Sequence, residues 1–366
     1  MDIIIGAGIT GLSYAAQCGH SDYLILEKTD SIGGYCKTTR RNGFVWDYSG
    51  HFFHFKNKAI EQFVASGIPA DELLTIDKHT QIRYKDRLID YPFQKNIHQL
   101  PQEEFIDCLY DLFNIEEKHF DNFKEMLYCK FGRSIAEKFL IPYNTKLYAC
   151  DLNSLDKDAM GRFFPYAEKE DIIRNFRKQE NATYNASFVY PKGGAIEYVN
   201  SIMQHVDKNK IKLNTQVAAI NPKTRQLTTT TGETFQYDHL ISTLPFPQLL
   251  GMCNIEFNAS AYSWNQVLVF NLGFDSKSDD TYNHWIYFPE DKYCFYRVGF
   301  YSNILQQDRM SLYVELGFAK DAAIDIALWQ SRVISDLQKA GIITGQKLTD
   351  SEAILMNPAY EIGRAS

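Results

Sequence analysis

The chain has 366 residues, of which 45% are hydrophobic and 14% aromatic, so it can bury a substantial core in two connected domains and is neither disordered nor fibrous. Its formal net charge of -7 is spread without long runs of one sign, which argues against nucleic acid or an anionic membrane surface as a partner. The seven cysteines include no CxxC pair and no stretch approaches the roughly 20 apolar residues of a membrane span, so we expect a soluble, cytoplasmic protein without disulfides, a zinc site or a membrane span.

A dinucleotide-binding pattern opens the chain. A β-branched run at residues 3–5 is typical of a buried parallel strand, and a second strand is predicted at 23–26 after a helix-length segment. Between them stand the three glycines of a G-x-G-x-x-G pattern, Gly6, Gly8 and Gly11. They permit a tight turn, approach of the backbone to a pyrophosphate, and close packing of helix on strand. Glu27 closes the second strand, where a carboxylate can bind a ribose 2′-OH.

The middle of the chain departs from this unit and then returns to it. Apolar residues at helical spacing predict a helical insertion from residue 101 to about residue 140. An amphipathic helix from residue 196 precedes an alternating strand at 211–217. A hairpin with its turn at 231–233 and a strand at 239–243 follow.

Further strands form a second sheet. They are VLVFNL from Val267, HWIYF from His284, CFYRVGF from Cys294 and SLYVEL from Ser311, followed by a helix near 324–337. The pattern predicts an α/β protein with a Rossmann-like domain of three layers (ββα), discontinuous over 1–90 and 186–250. A substrate domain would combine the helical insertion, 91–185, with an antiparallel sheet, 251–345.

The segment EKTDSIGGYCKT, from Glu27 to Thr38, resembles the second glycine motif of the flavoprotein group that contains amine oxidases, protoporphyrinogen oxidases and UDP-galactopyranose mutases. In that group a pair of glycines, here Gly33 and Gly34, passes close to the ribityl and pyrophosphate part of FAD. The resemblance therefore implies FAD rather than NAD. The predicted cofactor-binding residues are Gly6, Gly8, Gly11, Glu27, Lys28, Gly33, Gly34 and Val217.

Within this group, the sequence resembles the UDP-galactopyranose mutases over nearly its whole length. Three segments carry the resemblance: DYSGHFFHF from Asp47, LIDYPFQKNIHQLP from Leu88 and HWIYFPEDKYCFYRVGFYSN from His284. It implies that His51 lies beside the flavin and that Arg297 grips the diphosphate of a nucleotide sugar, which a planar guanidinium can bind through two oxygens. A second arginine acts with it in the family, and Arg162 is the candidate, so these three are the predicted catalytic residues. Tyr296 and Asn303 complete the predicted substrate-binding set with the two arginines.

The implied reaction is the interconversion of UDP-galactopyranose and UDP-galactofuranose. In the family, N5 of the reduced flavin attacks the anomeric carbon and UDP leaves, the sugar opens and recloses as a flavin-bound iminium, and UDP is rejoined to it. The reaction is therefore a net isomerisation that uses a redox cofactor. The expected substrate is a nucleotide sugar such as UDP-galactose, no resident metal is expected, and an oligomer is compatible with the sequence.

The end of the chain departs from the family pattern. Mutases close their flavin domain with a late segment of the type GIYSIGRYGRW and a helix, whereas here only Gly363 and Arg364 match, so a shortened closing segment and weakened FAD binding are expected. Two alternatives stay open. One is an oxidoreductase like protoporphyrinogen oxidase or the amine oxidases, which shares the FAD motifs but needs no diphosphate-binding arginine. The other is a non-catalytic relative.

Overall fold

A computed structural model of the chain describes residues 1–115, 118–161, 165, 167–177 and 186–363. The chain divides into two compact units. The first unit is Met1–Ile76 with Ser187–Ala259, and the second is Asp77–Ala186 with Ser260–Ser366. The first unit is therefore discontinuous in the sequence.

The helices and strands are numbered in chain order. The helices are α1 (Ile9–Gln17), α2 (Lys58–Ala65), α3 (Gln102–Phe113), α4 (Phe123–Ile135), α5 (Ile141–Tyr148), α6 (Lys169–Arg177), α7 (Ile196–Met203), α8 (Phe246–Met252), α9 (Tyr301–Leu305) and α10 (Ile326–Lys339). The strands are β1 (Asp2–Ile5), β2 (Tyr23–Leu26), β3 (Thr38–Arg41), β4 (Phe44–Asp47), β5 (Leu73–Asp77), β6 (Thr80–Tyr84), β7 (Arg87–Asp90), β8 (Ser187–Pro191), β9 (Ile211–Lys212), β10 (Val217–Asn221), β11 (Gln226–Thr229), β12 (Thr234–Gln236), β13 (His239–Ser242), β14 (Tyr262–Phe274), β15 (Trp285–Tyr287), β16 (Arg297–Phe300), β17 (Ser311–Ala319), β18 (Leu348–Met356) and β19 (Glu361–Gly363).

The first unit is a three-layer ββα domain built on a parallel sheet of order β13-β1-β2-β9. The side chains of β1 alternate between its two faces, as in any strand. Ile4 packs with α1 and α7, whereas Ile3 and Ile5 pack against the antiparallel layer β10-β11-β12. Because apolar side chains cover both faces, β1 reads as a continuous β-branched run rather than an alternating one.

The second unit is organised around an eight-stranded sheet whose path is β18-β14-β17-β16-β15-β6-β7, with β19 paired to β14. One core lies among α3, α4 and α5 and includes Leu112, Phe123 and Phe131. The other core packs α10 on the sheet through Val333 and Leu337. The predicted helical insertion and the predicted helix near 324–337 are both present.

Two sequence expectations differ from these elements. The alternation at 211–217 predicts one strand, but β9 and β10 belong to different sheets, because Asn214 takes a left-handed φ of 52° and turns the chain between them. The large sheet is mixed rather than antiparallel, since β6 pairs with β15 in parallel. That pairing also places residues 77–90, predicted with the Rossmann domain, in the second unit.

Candidate functional site

The turn between β1 and α1 is constrained by its glycines. Gly6 has φ of 100°, in the region that favours glycine, and its N–H donates to the Leu26 carbonyl at 2.9 Å. A Cβ on Gly11 would overlap the carbonyl oxygen of Gly6. Gly8 is the N-cap of α1 and, having no side chain, leaves the amide groups of the first turn without a side-chain cap. The turn thus presents bare backbone and a helix N-terminus, the arrangement that binds phosphate.

A second stretch of bare backbone lies against the first. Gly8 and Gly33 form an isolated parallel bridge, and the Gly33 N–H donates to the Ala7 carbonyl at 2.9 Å. A Cβ on Gly34 would lie 3.2 Å from the Cα of Gly8. The two predicted glycine motifs are therefore brought together, and side chains at these positions would fill the surface that they form.

Glu27 lies beside these two glycine motifs, and its carboxylate is buried. Its Oε2 accepts from the Ala7 N–H at 2.8 Å, and its Oε1 accepts from the N–H and hydroxyl of Thr29 at 2.9 and 2.7 Å. A carboxylate has about four acceptor positions, so one remains for a ribose hydroxyl. The position and chemistry of Glu27 fit the predicted role.

The two remaining predicted cofactor residues differ in exposure. Lys28 is exposed next to Glu27. Val217 is buried at the start of β10, and its side chain packs with Ile3 and Leu26 in the core. Only the backbone of Val217 is therefore available to a ligand.

The loop that carries His51 follows β4 and is anchored by Asp47. The carboxylate of Asp47 is fully buried and accepts from Thr38 Oγ1 at 2.5 Å, from the Tyr190 hydroxyl at 2.8 Å and from the Ala195 N–H at 3.0 Å. Burial raises the pKa of Asp47 to about 6, although these three hydrogen bonds act in the opposite direction. The bonds tie the start of the loop to the N-terminus of α7.

His51 itself is half-buried, and its N–H donates to the Ser49 carbonyl at 2.8 Å. The neighbouring ring of Phe52 packs on Phe188 at 4.6 Å between centroids. His54 contacts the Ser187 carbonyl through Nδ1 at 3.0 Å. The aromatic neighbours thus hold the loop, while the role of His51 beside a flavin stays a prediction.

In the second unit, two rows of register-paired residues cross one face of the sheet, and most of their side chains are polar or aromatic. The first row runs through the register-paired residues Thr80, Trp285, Gly299, Tyr313, Asn271 and Glu352. The second row runs through Ile82, Tyr287, Arg297, Glu315 and Val269. A Cβ on Gly299 would overlap the ring of Tyr313, so glycine is required where that ring crosses β16. The opposite face is apolar and forms the core under α10.

Arg297 lies in the second row and is paired with Glu315 on the next strand. Its Nε donates to Oε2, and a terminal nitrogen donates to Oε1 at 2.7 Å. The Glu315 side chain is 1% exposed and the Arg297 side chain 18%. Burial opposes the charge of Arg297, but the Glu315 carboxylate outweighs it and raises the pKa of the guanidinium. The contact with Glu315 uses two of the five N–H groups, and the side chain also hydrogen-bonds Tyr287, so the orientation of the guanidinium is fixed.

Tyrosines surround this ion pair. The Tyr287 hydroxyl accepts from the Trp285 indole N–H at 2.9 Å, and the Tyr143 ring lies 5.1 Å from that of Tyr287 and 6.1 Å from that of Tyr296. The guanidinium of Arg297 stands 5.8 Å from the ring centroid of Tyr313. Burial raises the pKa of all four tyrosines, so their phenols are neutral at physiological pH. Neutral phenols can both donate and accept hydrogen bonds.

The other predicted substrate residues divide into three cases. Tyr296 is buried beside the ion pair and contributes its backbone N–H to the Glu315 carbonyl at 3.0 Å. Asn303 is half-buried in α9, and its amide nitrogen donates to the carbonyls of Asp280 and Asn283 at 3.0 and 2.6 Å, so it supports that loop. Arg162 lies outside the described residues.

Sequence reasoning missed Glu315, the partner of Arg297. The available signal was the run SLYVEL, in which an acidic residue stands in an otherwise apolar and aromatic strand, two positions after Tyr313. A charge there is costly unless it is paired, so the pattern could have indicated a buried ion pair.

Within the described ranges, no group of three or more His, Cys, Asp or Glu side chains could hold a metal ion. In that part of the chain, too, no helix has both the length and the apolar character needed to span a bilayer.

Comparison with known proteins places the chain in a family. The family of flavin-containing amine oxidoreductases matches residues 9–339. A zeta-carotene-forming phytoene desaturase of Myxococcus xanthus is 31% identical over 90 residues, which is 23% of this chain and 17% of the desaturase. That match is therefore confined to a small part of the desaturase.

Solved structures are similar over almost the whole chain. A reduced UDP-galactopyranose mutase has a TM-score of 0.90 and 25% identity, covering 98% of this chain and 83% of the mutase. A putative protoporphyrinogen oxidase from Exiguobacterium sp. has a TM-score of 0.77 at 16% identity, covering 100% of this chain and 88% of that protein. Cyclohexylamine oxidase from Brevibacterium oxydans has a TM-score of 0.69 at 14% identity, covering 100% of this chain and 88% of the oxidase. The last two comparisons bear on the fold alone.

The bare backbone at Gly6, Gly8 and Gly34, with the Glu27 carboxylate beside it, fits the ADP half of a flavin dinucleotide. The resemblance of the two glycine motifs to flavoproteins agrees with the family match, and the cofactor is FAD. The chain belongs to the family of flavin-containing amine oxidoreductases.

Proposed function

We propose that the protein is an FAD-dependent isomerase that interconverts UDP-galactopyranose and UDP-galactofuranose. The observation that carries this proposal is the Arg297–Glu315 pair, which holds a guanidinium in one orientation among buried tyrosines. A fixed guanidinium with N–H groups left over is suited to a diphosphate. The similarity to a solved mutase over 98% of the chain supports the same assignment.

The residues would have two separate roles. Gly6, Gly8, Gly34 and Glu27 would hold the ADP half of FAD, which supplies, when reduced, the nucleophile for the sugar. Arg297 would bind the diphosphate and favour its departure, because its charge is already oriented before substrate arrives. The tyrosine phenols would hydrogen-bond the remaining oxygens. His51, Arg162, Tyr296 and Asn303 stay proposed members of these sites.

An oxidoreductase of the protoporphyrinogen oxidase or amine oxidase type is the second candidate. The family match favours it, since the family is named for amine oxidoreduction. Such an enzyme passes electrons from its substrate to an acceptor and has no need to bind a diphosphate. The Arg297–Glu315 pair would then be structural.

The test is to purify the protein with FAD and incubate it with UDP-galactose under oxidising and reducing conditions. We expect the furanose product only when the flavin is reduced. Turnover of an amine or a porphyrinogen with consumption of oxygen, and no furanose, would instead establish the second candidate. A protein that takes up no flavin would contradict both.

An arginine variant distinguishes between the isomerase and the oxidoreductase. Arg297→Lys should lower kcat/KM for UDP-galactose by about a hundredfold, since lysine cannot reproduce a bidentate contact. The matched control is Arg133→Lys, in which the exposed arginine of α4 is paired with Glu137 one helical turn away. Equal activity in both variants would remove Arg297 from the proposed site.

A further inference from the structure

Lys146, in α5, binds the backbone of the loop that joins β15 to β16. Its Nζ donates to four carbonyl oxygens of this loop, those of Phe288 at 2.8 Å, Glu290 at 3.0 Å, Tyr293 at 2.9 Å and Phe295 at 2.6 Å. An ammonium has three N–H groups, so the four oxygens share them. One side chain therefore holds the two ends of the loop and its middle together.

The two ends of this loop carry residues of the candidate site. The loop begins directly after Tyr287, the last residue of β15, and ends directly before Arg297, the first residue of β16. The Arg297 side chain also hydrogen-bonds Tyr287. The contacts of Lys146 with Phe288 and Phe295 therefore fix the backbone within two residues of each of these side chains.

The sheet fixes α5 and thereby the position from which Lys146 reaches the loop. A Cβ on Gly317, in β17, would overlap the carbonyl oxygen of Lys146, so the helix and the strand approach closely. The side-chain amide of Asn265, in β14, donates to the Leu147 carbonyl at 2.6 Å. The end of α5 is thus bound to two strands, and it provides a fixed support for the loop.

The charge of Lys146 contributes to the strength of these bonds. Burial lowers the pKa of Lys146 to about 8, and neighbouring groups act in the opposite direction, namely Asp291, Cys294, Asp336 and Glu290. The side chain is therefore mostly charged at pH 7. Because a charged donor bonds a carbonyl more strongly than a neutral one, loss of the ammonium should loosen the loop even where the volume of the side chain is kept.

We propose that Lys146 is a positioning residue for the diphosphate of the nucleotide sugar, and that its bonds to the loop carbonyls keep Arg297 and Tyr287 in the orientation that binds it. This inference rests on the proposed function. Lys146 acts on the ligand only through those two residues. A nucleotide with a diphosphate should depend on Lys146, and a neutral nucleoside should depend on it little.

The first measurement needs no nucleotide. Lys146→Met removes the ammonium and keeps most of the side-chain volume. In FAD-loaded protein, hydrogen exchange followed by mass spectrometry should be at least about tenfold faster over residues 288–296 in this variant. In the wild type, the Phe288 N–H in this segment is bonded to the Tyr296 carbonyl at 2.9 Å. Unchanged exchange in this segment would overturn the inference, whatever the protein binds.

The second measurement titrates FAD-loaded protein with UDP and, separately, with uridine by calorimetry at pH 7. Lys146→Met should weaken UDP binding at least about tenfold and leave uridine binding within about twofold. The matched control is Lys85→Met, which should change neither. Lys85 also contacts this loop, but through its backbone N–H, which donates to Glu290 Oε2 at 3.0 Å, while its ammonium is paired with Glu104.

A rescue experiment separates the ammonium from general packing. Lys146→Ala removes three carbons and the ammonium, which together correspond to propylammonium. Added propylammonium should restore most of the UDP affinity of this variant, whereas 1-propanol at the same concentration and ionic strength should not. If Lys146→Met does not fold, Lys146→Ala purified with propylammonium takes its place, and removal of the amine by dialysis should then weaken UDP binding.

The outcomes separate the two proposals. Wild-type protein that binds FAD but not UDP would overturn the proposed function, and the role of Lys146 in diphosphate binding with it. UDP binding that is equal in the wild type and in Lys146→Met would overturn only the role of Lys146. Equal loss of UDP and uridine, with no rescue by propylammonium, would mean that Lys146 supports packing alone and would also overturn that role.

Discussion

Glu315 and Asp47 show how differently two buried carboxylates can be accommodated. Glu315 is paired with a guanidinium, whereas Asp47 is held by a hydroxyl, a phenol and a backbone N–H. Removing a charge from water costs several kcal/mol unless a partner compensates for it. The first carboxylate is therefore sensitive to loss of its partner, and the second is sensitive to pH.

We expect Glu315→Gln to lower the free energy of unfolding by about 3 kcal/mol, because it leaves the Arg297 charge buried without a counter-charge. The matched control is Glu233→Gln, whose partner Lys212 is 42% exposed, and there the change should stay below about 1 kcal/mol. Urea unfolding of both variants measures the difference. Equal losses would mean that the buried pair contributes no more than the exposed one.

Asp47 predicts a pH dependence of stability. Its pKa is raised from 3.8 to about 6 on folding, so between these values the folded chain binds its proton more tightly than the unfolded chain. The stabilisation is complete below pH 3.8 and is lost as the pH rises through 6, by at most about 3 kcal/mol.

The measurement for Asp47 compares unfolding free energies of wild type and Asp47→Asn from pH 4 to pH 7. The wild type should lose stability relative to the variant as the pH rises. A difference that stays constant over this range would mean that Asp47 does not titrate there.

The β1–α1 turn separates steric from ligand-binding requirements within one element. Gly11 has no room for a Cβ, since Gly6 O occupies the space, whereas a Cβ on Gly8 would find only Gly34 Cα at 3.8 Å, an ordinary contact. The G-x-G-x-x-G pattern does not distinguish between these two glycines. Their surroundings show that one is required by the fold itself and the other is not.

Gly8→Ala should leave the stability of the apoprotein nearly unchanged and weaken FAD binding at least about tenfold, because the new methyl group projects where the pyrophosphate approaches. Gly11→Ala should lower both the stability of the apoprotein and the affinity for FAD. Gly251→Ala in α8, where a Cβ meets nothing within 4 Å, is the control and should affect neither adversely. Flavin fluorescence titration and urea unfolding test this, and unchanged FAD affinity in Gly8→Ala would refute the predicted approach.

For the chain as a whole, the bare backbone of the two glycine motifs and the carboxylate of Glu27 predict that FAD stabilises the fold through its ADP half. A ligand at 100 times its Kd adds about 2.7 kcal/mol to the free energy of unfolding. FAD and ADP should therefore both raise the midpoint of thermal unfolding, while riboflavin at the same concentration should raise it little. A larger effect of riboflavin than of ADP would place the main binding contacts elsewhere.

The sequence by itself determined the Rossmann unit, its glycine turn and Glu27, because these depend on neighbouring residues: a strand, a turn that needs glycine, and a helix. It also indicated Arg297 and the loop of His51 through resemblance to known flavoproteins. It did not separate β9 from β10, since the alternation continues across Asn214 although the backbone turns there.

Only the tertiary structure decided what surrounds Arg297. The facing positions of Arg297 and Glu315 depend on the register between β16 and β17. The positions of Thr80 and Ile82 beside Trp285 and Tyr287 depend on the parallel pairing of β6 with β15, whose residues are about 200 positions apart in the chain. Side-chain periodicity shows which residues share a face of one strand, but it contains no information about which strands pair or in what register.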